Sequence, residues 1–93
     1  MQELAPDADL ADIFNVSPRR RKGVRPAQEM LRQHRKPIVD KVAYWSGVQR
    51  PIVKRLVEAI CTRVEALGLR IDVRRESEYL TEFTVYALSL IHI

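Results

Sequence analysis

Between Arg50 and Leu67 the apolar residues recur every three or four positions. Ile52, Val53, Leu56, Val57, Ile60, Val64 and Leu67 fall within one arc of roughly 140° when successive residues turn by about 100°. Lys54, Arg55, Glu58, Thr62 and Glu65 lie opposite them. This spacing predicts a helix over about 50–67, with Gly68 as its stop. Upstream, Ile38, Val39, Val42 and Ala43 predict a helix over about 37–46. Ala27, Met30, Leu31 and His34 predict another over about 27–35. Pro26 can occupy the first turn of that helix, and Pro37 is expected to end or kink it, because proline cannot donate to the helical ladder. Tyr44 and Trp45 are adjacent and cannot point the same way. One is expected in the core and the other partly exposed.

After Gly68 the period shortens to two. Leu69, Ile71 and Val73 alternate with Arg70, Asp72 and Arg74, the pattern of a half-buried strand over about 69–75. The segment from Phe83 onward is rich in Thr, Val, Tyr and Ile and reads as a second strand over about 83–92, reached through a loop at Glu76–Glu82. The same region also fits a helix, since Tyr79, Phe83, Tyr86, Leu90 and Ile93 form a helical stripe. The loop holds no Gly, Pro, Asn or Asp to make a turn. The expected fold class is α+β: three helices (about 27–35, 37–46 and 50–67) followed by a β-hairpin (about 69–75 and 83–92), behind a disordered N-terminal arm. From Val85 to Ile91 both faces of such a strand are apolar apart from Ser89, so it needs cover on both sides. Val85, Leu88, Leu90 and Ile91 are therefore the expected interface of an oligomer, with a homodimer the simplest form.

The N-terminal residues divide in two. Residues 1–16 carry one short apolar motif, Leu10, Ile13 and Phe14, and are too few to fold alone. They read as a disordered leader, with a partner-binding peptide at Leu10, Ile13 and Phe14, or an acidic segment folding back on the basic region, as the alternatives. Residues 17–26 place Pro18, Gly23 and Pro26 around Arg19, Arg20, Arg21, Lys22 and Arg25. Proline, glycine and repelling charges oppose regular structure, and basic arms of this kind track phosphate or enter a minor groove. The domain reading is a flexible acidic-then-basic arm over 1–25 and a single folded unit over 26–93.

Charge sharpens this division. The net charge over 93 residues is +4. Residues 1–16 hold Glu3, Asp7, Asp9 and Asp12 and no base, whereas residues 17–63 hold thirteen arginines and lysines against Glu29, Asp40 and Glu58. The positive field thus lies on the arm and the three-helix region, where it suits a polyanion. The acidic start lacks the pattern of a secretory leader, and the uncharged stretch from Phe83 to Ile93 is too short to span a bilayer. With one cysteine, Cys61, there is no internal disulfide, and the expected setting is the cytoplasm, or the nucleoid if the chain binds DNA.

Catalytic chemistry finds no foothold. Gly23, Gly47 and Gly68 stand apart and make no phosphate-cradling loop. His34, His92 and Cys61 have no metal-ligand spacing, so neither a metal nor a cofactor is expected. No serine or cysteine nucleophile sits in a motif with a base. His34 reads as a satisfied core histidine and Cys61 as a small packing residue.

The segment from Val42 to Leu56 resembles the lac-repressor-type helix-turn-helix through Ala43, Gly47, Val48, Val53 and Leu56. That resemblance implies a DNA-binding domain in which Gln49, Arg50, Lys54 and Arg55 face the major groove. It departs in using Gln49 where a serine or threonine caps the recognition helix, in the length of the helix that follows, and in Glu58, which would repel phosphate one turn beyond Lys54. A hairpin over 69–92 would resemble the wing of a winged helix. The longer segment from Pro37 to Val73 also resembles the N-terminal half of the histone-like HU and IHF proteins. It follows their order of short helix, Ser46-Gly47-Val48-Gln49 turn, long helix and strand, which implies a dimer-forming sheet. The Gly-Phe-Gly turn and basic β-arms of that family do not follow Val73. The expected function is a small basic DNA-binding protein, regulatory or architectural, with RNA as a related target. Its contacts would be Arg19, Arg20, Arg21, Lys22, Arg25, Gln49, Arg50, Lys54 and Arg55. The rival is a protein-interaction or assembly subunit, HU-like without DNA arms, that oligomerises through its apolar C-terminal strand.

Overall fold

Phe14 is wholly buried, and its ring lies 6.0 Å from that of Tyr79 and 5.8 Å from that of Phe83. This contact ties the N-terminal segment into the core. The computed structural model describes residues 7–14 and 23–91. In chain order its elements are α1 (Asp7–Phe14), β1 (Val24–Pro26), α2 (Ala27–Gln33), α3 (Arg35–Ser46), α4 (Arg50–Leu67), β2 (Arg70–Asp72), a 3-10 turn (Val73–Arg75) and α5 (Glu76–Ile91). Five helices therefore interleave with a two-stranded ribbon, which corrects the expected three helices and terminal hairpin.

The largest correction concerns residues 76–91. The expected loop at 76–82 and the strand at 83–92 form the single helix α5. Tyr79, Phe83 and Ala87 recur at intervals of four and are all buried, so a helix hides one full stripe where a strand would have exposed one apolar face. Threonine is a poor helix former, but here Thr81 donates to the Ser77 carbonyl at 3.1 Å and Thr84 to the Leu80 carbonyl at 2.8 Å. Each hydroxyl is satisfied within the helix. The strand expected at 69–75 shrinks to Arg70–Asp72. Its partner is β1, with Val24 opposite Asp72, Arg25 opposite Ile71 and Pro26 opposite Arg70, antiparallel. Pro26 sits at the end of this edge pairing, where its missing N–H costs no central ladder bond.

The N-terminal region expected to be disordered contributes α1 and β1. Leu10 joins Phe14 in the core, and the two are spaced to share one face of α1 against α5. The isolated segment is too short to hold a helix, so packing supplies what propensity lacks.

The break between α2 and α3 falls at His34 (φ −107°, ψ 18°), earlier than Pro37 suggests. Pro37 lies in the first turn of α3, where an N–H has no intrahelical acceptor anyway. The helix α4 spans the residues its periodicity predicts. Its buried side is narrower than the apolar arc: Val53, Val57, Ile60, Cys61 and Val64 are buried, while Ile52 is 51% exposed. It packs against α2 and α3, and α5 covers the other side of α3. The ribbon closes the unit where α4 ends and α2 begins, through the Ala27 N–H donating to the Leu69 carbonyl at 2.9 Å.

Gly47 takes φ 76°, and its N–H donates to the Ala43 carbonyl at 2.9 Å, closing α3. No atom stands within 4 Å of where a Cβ would project, so backbone strain alone opposes a side chain here. Gly47→Ala is expected to lower stability by about 1–2 kcal/mol, read as a lower urea midpoint at unchanged slope.

Candidate nucleic-acid interface

The turn Gly47-Val48-Gln49 joins α3 to α4 and sets the geometry of the charged face around it. Ser46 Oγ accepts from the Val48 N–H at 3.1 Å. The Gln49 carbonyl accepts from the N–H groups of Ile52 at 3.0 Å and Val53 at 3.1 Å, which starts α4 without a side-chain cap. Asp40, Ala43, Tyr44, Val48 and Arg50 surround a shallow hollow at this turn.

The acids of this face are compensated. Glu58 Oε2 accepts from Arg35 Nη1 at 2.6 Å. Asp40 Oδ1 lies 2.6 Å from Arg50 Nη2, and its other oxygen lies 3.7 Å from Lys36 Nζ. The Arg50 approach is a charge contact without hydrogen-bond alignment, and it ties the start of α4 to α3. Farther along, Arg32 stands 3.9 Å from Glu65. These pairs are exposed, so each is worth on the order of 1 kcal/mol or less. Their larger effect is to cancel negative charge beside Lys54 and Arg55. Those two side chains are exposed and carry no salt bridge among the described residues.

The expected contact residues therefore separate. Gln49, Arg50, Lys54 and Arg55 gather at the turn and the first two turns of α4, with Arg50 already engaged by Asp40. Arg25 lies on β1, where its Nη2 donates to Gln33 Oε1 at 2.7 Å. It belongs to the folded ribbon and not to a free arm. Arg19, Arg20, Arg21 and Lys22 lie outside the described residues.

Sequence reasoning missed the aromatic pair. Tyr44 is 77% exposed and Trp45 67% exposed, where one of the two was expected in the core. Their rings meet edge to face, with centroids 5.1 Å apart. The wheel of α3 holds the signal for Tyr44 alone, which turns away from the buried face of Ile38, Val39 and Val42. Trp45 follows Ile38 by seven residues, at the edge of that face, and lines the groove between α3 and α5.

Other expected site residues change character. Val85, Leu88, Leu90 and Ile91 lie on α5, not on a strand. Val85 is 59% exposed, while Leu88, Leu90 and Ile91 are half-buried against the core. Of the apolar motif Leu10, Ile13 and Phe14, Leu10 and Phe14 are buried within their own chain, and Ile13 is half-buried against the core. The strand on which both a wing and an HU-type sheet depend is helix α5.

His34 is half-buried, and its Nε2 lies 2.6 Å from Glu76 Oε2, joining the α2–α3 junction to the start of α5. Burial pushes the Cys61 thiol up from 9.0 to about 11, with Glu58 adding to the effect and Arg32 and Arg35 opposing it. A raised thiol value favours the folded state below 9.0, and that contribution is lost as pH rises toward about 11. At pH 8 the thiolate is about a hundredfold scarcer than in a free thiol. Alkylation of Cys61 by iodoacetamide is expected to be slow until the chain is unfolded in urea.

Among the described residues, no group of three or more His, Cys, Asp or Glu side chains is placed to hold a metal ion. No described helix is long and apolar enough to cross a membrane. Comparison with protein-family models, with curated proteins and with solved structures finds no match for this chain.

Proposed function

We propose that this chain is a small basic DNA-binding protein, regulatory or architectural, that meets the duplex with the face around the α3–turn–α4 unit. One observation carries the proposal. The acids that would repel phosphate there, Asp40 and Glu58, are each held by an arginine, while Lys54 and Arg55 remain exposed without a salt bridge among the described residues. Tyr44, beside the same turn, offers an exposed ring for stacking or for packing against sugar. Arg50 supports the face by fixing α4 to α3, and Gln49 stands at the helix start, where its amide makes polar contact with a base edge.

In this reading Arg19, Arg20, Arg21 and Lys22 add phosphate contacts from the segment before β1. With Lys54 and Arg55 they make six, enough for affinity to fall about a thousandfold between 50 and 200 mM salt. The cytoplasm or nucleoid is the proposed setting. A mobility-shift series with duplex DNA, single-stranded DNA and RNA tests the proposal. Duplex binding at low salt that weakens steeply as salt rises supports it. Preference for RNA moves the target, and absence of binding to all three at low salt overturns it.

A further inference from the structure

A groove of about 330 Å³ runs between α3 and α5. Its apolar lining comes from Pro37, Ile38, Trp45, Leu80, Val85 and Leu88. Trp45 and Val85, at its rims, are among the most exposed large apolar side chains described. Such a surface is costly to leave in water, and a well-packed aromatic anchor is the usual centre of a protein interface.

The charges on the two rims differ in sign. Lys41 lines the groove on the α3 side. Glu82 stands on α5 three residues before Val85, next to it on the helix surface. Neither makes a salt bridge among the described residues, although Arg35 and Lys36 on the same α3 do. Arg75 senses the charge of Glu82 but bonds to Glu78 at 2.8 Å. One rim thus offers a cation and the other an anion, neither held in a salt bridge among the described residues. A surface with this pattern is complementary to itself.

We propose that a second copy of this chain occupies the groove, in a two-fold dimer whose axis runs along it. Rotation about that axis lays α3 of each chain over α5 of the other. Trp45 of one copy then packs on Val85 and Leu88 of its partner, and Lys41 of one faces Glu82 of the other. The contact occurs twice, as two-fold symmetry requires. Val85 and Leu88 belong to this interface. Leu90 and Ile91 serve the core at the end of α5. The inference does not depend on DNA binding.

The mass of the full chain in solution, followed from about 1 µM to about 1 mM, tests it. The expected result is a shift from 10.8 kDa to twice that mass. A blue shift of Trp45 emission over the same range should accompany it, since Trp45 is the one tryptophan in the sequence. Trp45→Ala should weaken association about thirtyfold or more, with helix content unchanged because the side chain is exposed. Lys41→Glu and Glu82→Lys should each weaken it, and the double variant should restore it. A chain that stays monomeric throughout overturns the proposal. So does a dimer whose mass is indifferent to Trp45→Ala, or in which the double charge exchange fails to recover what the single changes lose.

Discussion

Replacing Phe14 with alanine is expected to cost about 3–5 kcal/mol, the largest loss of any single change considered for this chain. The ring is fully buried and touches two other aromatic rings, those of Tyr79 and Phe83. Its removal takes away apolar burial and leaves a void that α1 and α5 must close around. For a domain of this size, such a loss is a large share of the whole stability. At a urea slope near 1 kcal/mol per molar, it moves the midpoint by about 3 M or abolishes the cooperative transition. Phe14→Leu, which keeps most of the volume, should cost about 1.5 kcal/mol or less. If Phe14→Ala unfolds at the wild-type midpoint, α1 is not part of the folded core.

Reversing both free cations of α4, in Lys54→Glu/Arg55→Glu, is expected to lower DNA affinity by about 60-fold at 0.1 M salt. A phosphate contact with a log–log slope near 0.9 is worth about eightfold at that concentration, and two are lost. Fold stability should stay close to wild type, because both side chains are exposed and make no salt bridge among the described residues. Arg50→Ala separates support from contact. It frees Asp40 to face the polyanion and loosens α4 from α3. Affinity should therefore fall even if Arg50 never touches DNA, and the further change Asp40→Asn should recover part of it. A titration of one labelled duplex against these variants reads all of these outcomes.

The parts of the fold visible in the sequence are those decided locally. Seven apolar positions on one arc and Gly68 at the end mark α4, because periodicity and a left-handed stop need no distant partner. The β1–β2 ribbon was invisible, since Val24-Arg25-Pro26 acquires its structure only by meeting Arg70-Ile71-Asp72, far along the chain. Residues 76–91 were misread because Thr81, Thr84, Val85 and Ile91 favour strands, while the burial of Tyr79, Phe83 and Ala87 on one stripe decides for helix. Propensity yields to tertiary packing in such cases. His34 ended α2 where Pro37 seemed the obvious breaker, because a first-turn proline continues into α3 without penalty.

The candidate site was legible to a similar depth. The exposure of Lys54 and Arg55 follows from the wheel of α4 alone. The engagement of Arg50 by Asp40 and of Glu58 by Arg35 follows from how α3 crosses α4, which no local pattern encodes. Glu58 thereby gains a cationic partner, and Arg50 is engaged across the α3–α4 junction. The exposure of Trp45 depended on α5 leaving a groove beside α3.

The most direct test of nucleic-acid binding by this face is the salt dependence of duplex affinity, compared between the wild-type chain and Lys54→Glu/Arg55→Glu. The expected wild-type plot of log affinity against log salt is a line of slope about −5, and the variant's line should be shallower by about 2. A wild-type line near zero, or two parallel lines, would contradict the account.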